Sequence, residues 1–461
     1  MKISPSKSAG CPSAANPRQT RAGCSRGSRV VLAAAIVLLS GCTAQGPYRG
    51  NTTDKQASVV AGPRYNVAFI EFGEQGSYQD ISQLQDAAEL IKRTARPFVV
   101  TYIHGWHNNS VSNDVDRFRG FLSELSQSPS IQHSNYNVIG VYLGWRGEIT
   151  KFPGITELTF WSRMAAAERL ASNLDCYDAI ATISETARKY HKQEGQYTIL
   201  VGHSFGGLVV ERSVAHAINA MTHGYGDSEK SLPADLIVLL NSASDSILAR
   251  QMIAALYSRH LEGKQQFVVS LTSSGDGATG NWFRVGTSVA AISKVFDKVG
   301  VPGREKRERK SEKLFYTSTP GHSQFLVNHE TKYLRVDPNR SGKTAFEANL
   351  SGVDPSDPYV FATPLDNSRS GPLKLWRFER LGSVDVPYWD VRVSPAIIKD
   401  HGDVWNDKAQ AMVAAIFRLN FPLPRKPAII APPKKLAPRG VTVPALPKPQ
   451  LNRERDFNRL Y

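Results

Sequence analysis

The sequence predicts an α/β fold, a mostly parallel β-sheet with helices on both faces. Two observations carry this. Short apolar runs of strand length, such as FVVTYI (98–103), VIGVYL (138–143), DLIVLL (235–240) and QFVVSL (266–271), alternate with segments of helical period. Strands that read as continuous apolar runs are buried on both faces, as in sheets covered by crossover helices. The second is YTILVGHSFGGLVV (197–210), a strand, an abrupt glycine turn and a helix start in immediate succession.

The chain has 461 residues, but both ends stand apart from the folded body. Residues 1–29 hold six Lys/Arg and no acid, and Val30–Leu39 is unbroken apolar sequence ending in Leu39-Ser40-Gly41-Cys42. A basic start, a short apolar core and small residues before a cleavage point describe a secretory signal over 1–41. Ten apolar residues span only ~15 Å as a helix, too short to cross the hydrocarbon core. Residues 42–62 are small and polar and read as a flexible tether. Residues 422–461 are rich in Pro and Lys/Arg with no apolar period, and are expected to be a disordered tail.

Of the net charge of +15, the signal carries six and residues 422–461 carry seven, which leaves +2 for the body. Basic character confined to the ends lacks the basic face that nucleic-acid binding needs, so that class is excluded. Of the four cysteines, Cys11 and Cys24 lie in the signal, Cys42 at its end, and Cys176 in a helical pattern, where it reads as a small core residue. No intramolecular disulfide is expected after export.

The elements follow in order. Tyr65–Phe72 is an early strand, and 77–95 a helix closed by Pro97. Strand 98–103 leads into His104-Gly105-Trp106. Helix 114–126 and strand 138–143 precede an aromatic-rich irregular stretch, 144–162, a candidate lid or pocket wall. A long helical pattern over 164–190 leads to the glycine turn. Helix 207–221, strand 235–240, helix 246–261 and strand 266–271 follow. Residues 277–385 read poorly and are expected to form an insertion or cap between two functional loops, with the run 304–313 as a solvated helix face. The last strand is 388–393 and the last helix 406–419, with Asp403 expected to cap it.

The glycine turn carries the chemistry. In Gly202-His203-Ser204-Phe205-Gly206-Gly207 the glycines let strand and helix cross closely, and the turn presents the Ser204 hydroxyl as a nucleophile at the carboxyl edge of the sheet. A serine needs a base, and the base needs an orienting acid. In this architecture they follow in the order serine, acid, histidine. Asp276, in Thr272-Ser273-Ser274-Gly275-Asp276, is favoured as the acid, with Asp245 as the alternative. His401, after the last strand, is favoured as the base, with His322 the main alternative and His260 and His329 behind it. The oxyanion donors are expected to be the backbone N–H groups of Phe205 and Trp106. Trp106 and Trp145, with Phe152, Phe160 and Trp161, are candidates for an apolar acyl pocket. His203 reads as a structural residue beside the turn.

YIHGWHNN, GHSFGG, LTSSGD and DHGDVW stand in one order over about 65–420, and together resemble the α/β-hydrolase-fold serine esterases and lipases. That resemblance implies carboxylic ester hydrolysis through an acyl-enzyme, with no metal or organic cofactor, acting on a small-molecule or lipid ester. LSGC resembles the lipobox of bacterial lipoproteins. It implies lipidation of Cys42 and membrane attachment through that lipid. Thr43 after it resembles the pattern sorted to the outer membrane. Amide hydrolysis or acyl transfer on the same residues, or a non-catalytic binding module, are the alternative readings.

Overall fold

The computed structural model describes residues 46–50, 55–148, 159–191, 196–223, 233–258, 268–303, 308–334, 357–365, 373–382 and 385–420. The signal with Cys42, the tail from 422, residues 149–158 with Phe152, His260, and part of the 304–313 run lie outside them.

In chain order the sheet strands are β1 (Val59–Ala61), β2 (Tyr65–Glu71), β3 (Pro97–Ile103), β4 (Asn137–Gly144), β5 (Tyr197–His203), β6 (Leu236–Leu240) and β7 (Val268–Ser273). After these, β8 (Lys298–Gly300) and β9 (Arg309–Ser311) form a separate two-stranded ribbon. The main sheet resumes with β10 (His329–Tyr333), β11 (Val360–Pro364), β12 (Leu373–Arg380) and β13 (Tyr388–Val393). Among the described residues its eleven strands run β1-β2-β4-β3-β5-β6-β7-β13-β10-β12-β11. From β2 through β10 every neighbour pair is parallel; β1, β12 and β11 pair antiparallel at the two edges.

The major helices are α1 (Ser82–Arg93), α2 (Asn113–Gln127), α3 (Phe160–Ser172), α4 (Leu174–His191), α5 (Phe205–His223), α6 (Ser246–Ser258), α7 (Phe283–Ala290) and α8 (Asp407–Asn420). They form two layers. Alternate residues of each central strand enter opposite cores, as in β3, where Val99 and Ile103 meet the α1, α4 and α5 side. Phe98, Val100 and Tyr102 meet the α2 and α8 side. The central runs are apolar on both faces for this reason. Cys176 is fully buried in α4.

Three expectations are corrected. Residues 42–62 are not wholly a free tether: β1 covers the edge of β2, and Arg49 is buried against the sheet. Its Nε donates to the Ser110 carbonyl at 2.8 Å, and its guanidinium lies 3.5 Å from the Phe69 ring centroid. Burial lowers its pKa to about 10. The 277–385 stretch is not a single cap, because β10, β12 and β11 extend the main sheet. The 164–190 pattern is two helices, split at Asn173, whose side chain accepts the Asp175 N–H and restarts the chain as a helix.

Candidate active site

The glycine turn sits at the carboxyl end of β5, between β3 and β6. Ser204 has φ of +57°, the left-handed region that non-glycine residues rarely enter. The surroundings hold it there. Its N–H donates to Leu240 at 3.0 Å, and its carbonyl accepts from Leu208 and Ala243. A Cβ on Gly206 would collide with the Ile103 carbonyl, so the first turn of α5 can pass the end of β3 only without one.

This geometry brings three of the predicted residues into one hydrogen-bonded chain. Ser204 Oγ lies 2.7 Å from His401 Nε2, and His401 Nδ1 lies 2.8 Å from Asp276 Oδ2. A carboxylate oxygen accepts, so Nδ1 carries the proton and Nε2 offers its lone pair to the hydroxyl. Asp276 follows β7 and caps a short helical turn, Ala278–Trp282. Its Oδ1 accepts the N–H groups of Ala278 and Thr279, and Thr279 Oγ1 donates to Oδ2 at 2.5 Å. Burial pushes this carboxyl up. The bonds from His401 and Thr279, with the charge interaction of the imidazole, outweigh that and hold it below its ordinary value.

The alternatives lie elsewhere. Asp245 accepts the Ile247 N–H at the start of α6, a helix-start role. His322 Nδ1 is 3.2 Å from Thr319 Oγ1 within its own loop. Its ring lines a cavity of about 430 Å³ beside the acid loop, with Asp276, Asn281 and Arg284 also in the lining, and Ser204 is not in that lining. His329 stacks on Trp389, and burial lowers its pKa to about 3.

The loop after β3 abuts the serine. A Cβ on Gly105 would stand 2.6 Å from Ser204 Cβ and 3.1 Å from the His203 carbonyl. His104 stabilises this loop from beneath. Its Nε2 accepts the Trp145 N–H at 3.0 Å, so Nδ1 carries the proton and donates to the Gly105 carbonyl at 2.8 Å. Trp145 Nε1 donates to the His104 carbonyl at 2.9 Å, and the two rings stack. Trp145 is therefore a buried support of the loop, not the pocket wall expected for it. Trp106 is part-buried and meets Phe160 and Phe205 at centroid distances of 5.2 and 6.4 Å. Phe205 opens the 19-residue α5, whose N-terminus brings unpaired N–H groups and positive dipole to the serine.

Sequence reasoning missed the residues that hold His401. Asn241, at the end of β6, is fully buried with φ of +44°. Its Oδ1 accepts the Ser273 N–H at 2.9 Å, which fixes the amide orientation. Its Nδ2 then donates to the carbonyls of Asp400 and His401 at 3.2 and 3.1 Å. His203 Nε2 donates to the same His401 carbonyl at 3.0 Å. Burial and the neighbouring His401 lower the His203 pKa to about 4, so this ring stays neutral. Ser273 Oγ donates to the Ile398 carbonyl and ties acid and histidine loops together. Trp405 anchors the loop to Asp114 at 3.1 Å. Asp403 accepts the Lys399 N–H inside the loop. Asn406 instead caps α8, accepting from Lys408 and Ala409, because it stands directly before the first turn. One signal for Asn241 was available: an asparagine directly after a buried strand tolerates the left-handed turn needed there.

No family model matches the sequence, and no curated protein does. Among solved structures, likeness is found to phospholipase PlaB from Legionella pneumophila in complex with thio-NAD, at 12% identity and TM-score 0.30, covering 71% of this chain and 59% of that one. A second is phospholipase PlaB from the same organism, at 11% identity and TM-score 0.24, covering 52% and 47%. This chain thus spans about three fifths of the length of the first.

Proposed function

We propose that the protein is a serine hydrolase that cleaves carboxylic esters. The observation that carries this is the Ser204–His401–Asp276 hydrogen-bonded chain at a strained turn. His401 Nε2 takes the Ser204 proton as Oγ attacks the ester carbonyl carbon. The carbonyl π pair moves to oxygen, and the oxyanion faces the backbone N–H groups of Phe205 and Trp106, each donor being worth ~10²–10³ in rate. The oxyanion collapses, the C–O bond to the alcohol breaks, and His401 gives its proton to the departing alkoxide. Water then repeats the sequence on the acyl-serine, returning the acid and free Ser204. Asp276 holds the imidazole tautomer throughout. A buried carboxylate with three hydrogen-bond donors of its own besides His401 stays ionised for that task.

Trp106 and Phe160, part-buried beside the serine turn and packed on the buried Phe205 ring, suit an apolar acyl group. We further propose export with a lipid on Cys42, on the strength of the basic–apolar–LSGC pattern. The test of the reaction is hydrolysis of short-chain p-nitrophenyl esters by the full chain against Ser204→Ala. Loss of the enzymatic rate supports the proposal, and an equal rate in the variant removes it. For the anchor, Cys42→Ser should lose the lipid adduct on the mature N-terminus by mass spectrometry; an unmodified Cys42 in the wild type refutes it.

A further inference from the structure

The most unusual surface lies directly after the acid loop. In α7 and the turn that continues it, Trp282, Val285, Val289 and Ile292 recur at helical spacing and face solvent. Trp282 is 76%, Ile292 81% and the following Val295 98% exposed. The opposite side of α7 buries Phe283 and Thr287. This helix is therefore apolar inward and also apolar outward, which single scattered surface residues do not explain. Within the same stretch, 282–300, Arg284, Lys294 and Lys298 are exposed, against one acid, Asp297, also exposed. Apolar side chains with a tryptophan and basic residues in the same stretch fit the headgroup boundary of an anionic lipid layer.

The face also leads to the serine. Trp161, half exposed, packs on Gly286 of α7, where a Cβ would collide with its ring. Trp161 meets Phe160 at 5.1 Å, and Phe160 meets Phe205, the residue after Ser204, at 5.2 Å. A continuous aromatic path thus joins the exposed face to the turn.

We infer that the outward face of α7, with Trp161, docks on the surface of an anionic lipid layer and opens the aromatic path to Ser204 toward it. The inference deepens the ester-hydrolase reading and rests on it for the substrate; the docking itself is measured without turnover. The experiment uses the full chain with Cys11, Cys24 and Cys42 changed to Ser, leaving the buried Cys176. An environment-sensitive fluorophore is placed through Val289→Cys, or through Lys332→Cys at the exposed end of β10 as the control. Vesicles contain phosphatidylglycerol and phosphatidylcholine with brominated acyl chains. The 289 label should enter ~5–10 Å into the headgroup and acyl boundary and lose about half its emission, the 332 label almost none. Adding Val285→Asp and Ile292→Asp should abolish the quenching, with soluble-ester hydrolysis unchanged. Arg284→Gln should weaken partition into anionic vesicles about fivefold. Equal quenching at both labels, or none at 289, overturns the inference. So does a concentration-dependent dimer, seen by light scattering without lipid and broken by the same two substitutions, since a second copy would then cover the face. Quenching without ester turnover would remove the hydrolase reading alone; turnover without quenching would remove the docking face alone.

Discussion

Asn241→Asp perturbs the site most selectively. The substitution keeps the side-chain shape, the tolerance for the left-handed turn at φ of +44°, and an acceptor for the Ser273 N–H at 2.9 Å. It removes the donor that bonds the Asp400 and His401 carbonyls at 3.2 and 3.1 Å, and sets an oxygen against two oxygens. Two buried hydrogen bonds at ~0.5–1.5 kcal/mol each put the loss of stability near 1–3 kcal/mol before repulsion is added. The His401 carbonyl keeps its bond from His203, and Ser273 and Trp405 still tie the loop down, so it stays attached but loses the Asn241 restraint. A shift of ~1 Å in a catalytic base costs about 10²-fold in rate. We expect kcat on a soluble p-nitrophenyl ester to fall by about 10–100-fold with KM within about threefold, since no substrate contact is removed. Steady-state kinetics with parallel thermal unfolding provides the assay. A folded variant with wild-type kcat would refute the positioning argument.

Other expectations follow from the same geometry. His401→Ala should lower kcat by at least ~10³-fold while His322→Ala stays within a few-fold, measured on the same ester; the reverse would reassign the base. Asp276→Asn should cost about 10⁴-fold by disfavouring the productive tautomer, and Asp245→Asn should leave kcat nearly unchanged. Gly105→Ala places a methyl group 2.6 Å from Ser204 Cβ and should lower kcat about 10²-fold in a protein of near-normal thermal midpoint. Glu211, buried in α5, accepts hydrogen bonds from Ser244 and Tyr388, and burial raises its pKa from 4.5 to about 8. A folded pKa above the unfolded one contributes stability that is complete below 4.5 and is lost as pH rises through about 8. The thermal midpoint should therefore fall between pH 5 and 9 by less in Glu211→Gln than in the wild type; identical slopes would contradict this.

How much was legible in the sequence follows from range. Strands β3 to β7 announce themselves as near-continuous apolar runs because they are buried on both faces, whereas β13, YWDVRV, carries Asp390 and Arg392 and shows through its aromatic and β-branched residues. Ser204 was legible because the glycines beside it stand where a Cβ would collide, Gly206 with the end of β3, Gly202 with the first turn of α5 and Gly207 with Ser242. His401 and Asp276 were named from their loops, but the distances joining them span 125 residues and belong to the folded sheet alone. β11 and β12 were hidden because they are partly exposed and, as in LKLWRFER of β12, carry a mixed pattern. Arg49 was hidden because its partners, Glu71, Phe69 and Ser110, are distant in sequence and make a basic residue in a polar stretch into a buried one. Trp145 and Trp106 look alike in the sequence; the bonds between His104 and the first, made only in the folded chain, set the two apart.

Treating the full chain with a fluorophosphonate and mapping the adduct by mass spectrometry decides whether Ser204 is the nucleophile. One adduct is expected, on Ser204, formed in step with loss of ester hydrolysis and absent from Ser204→Ala and His401→Ala. An adduct on another residue that tracks the loss of hydrolysis, or hydrolysis that continues after Ser204 is fully modified, would contradict it.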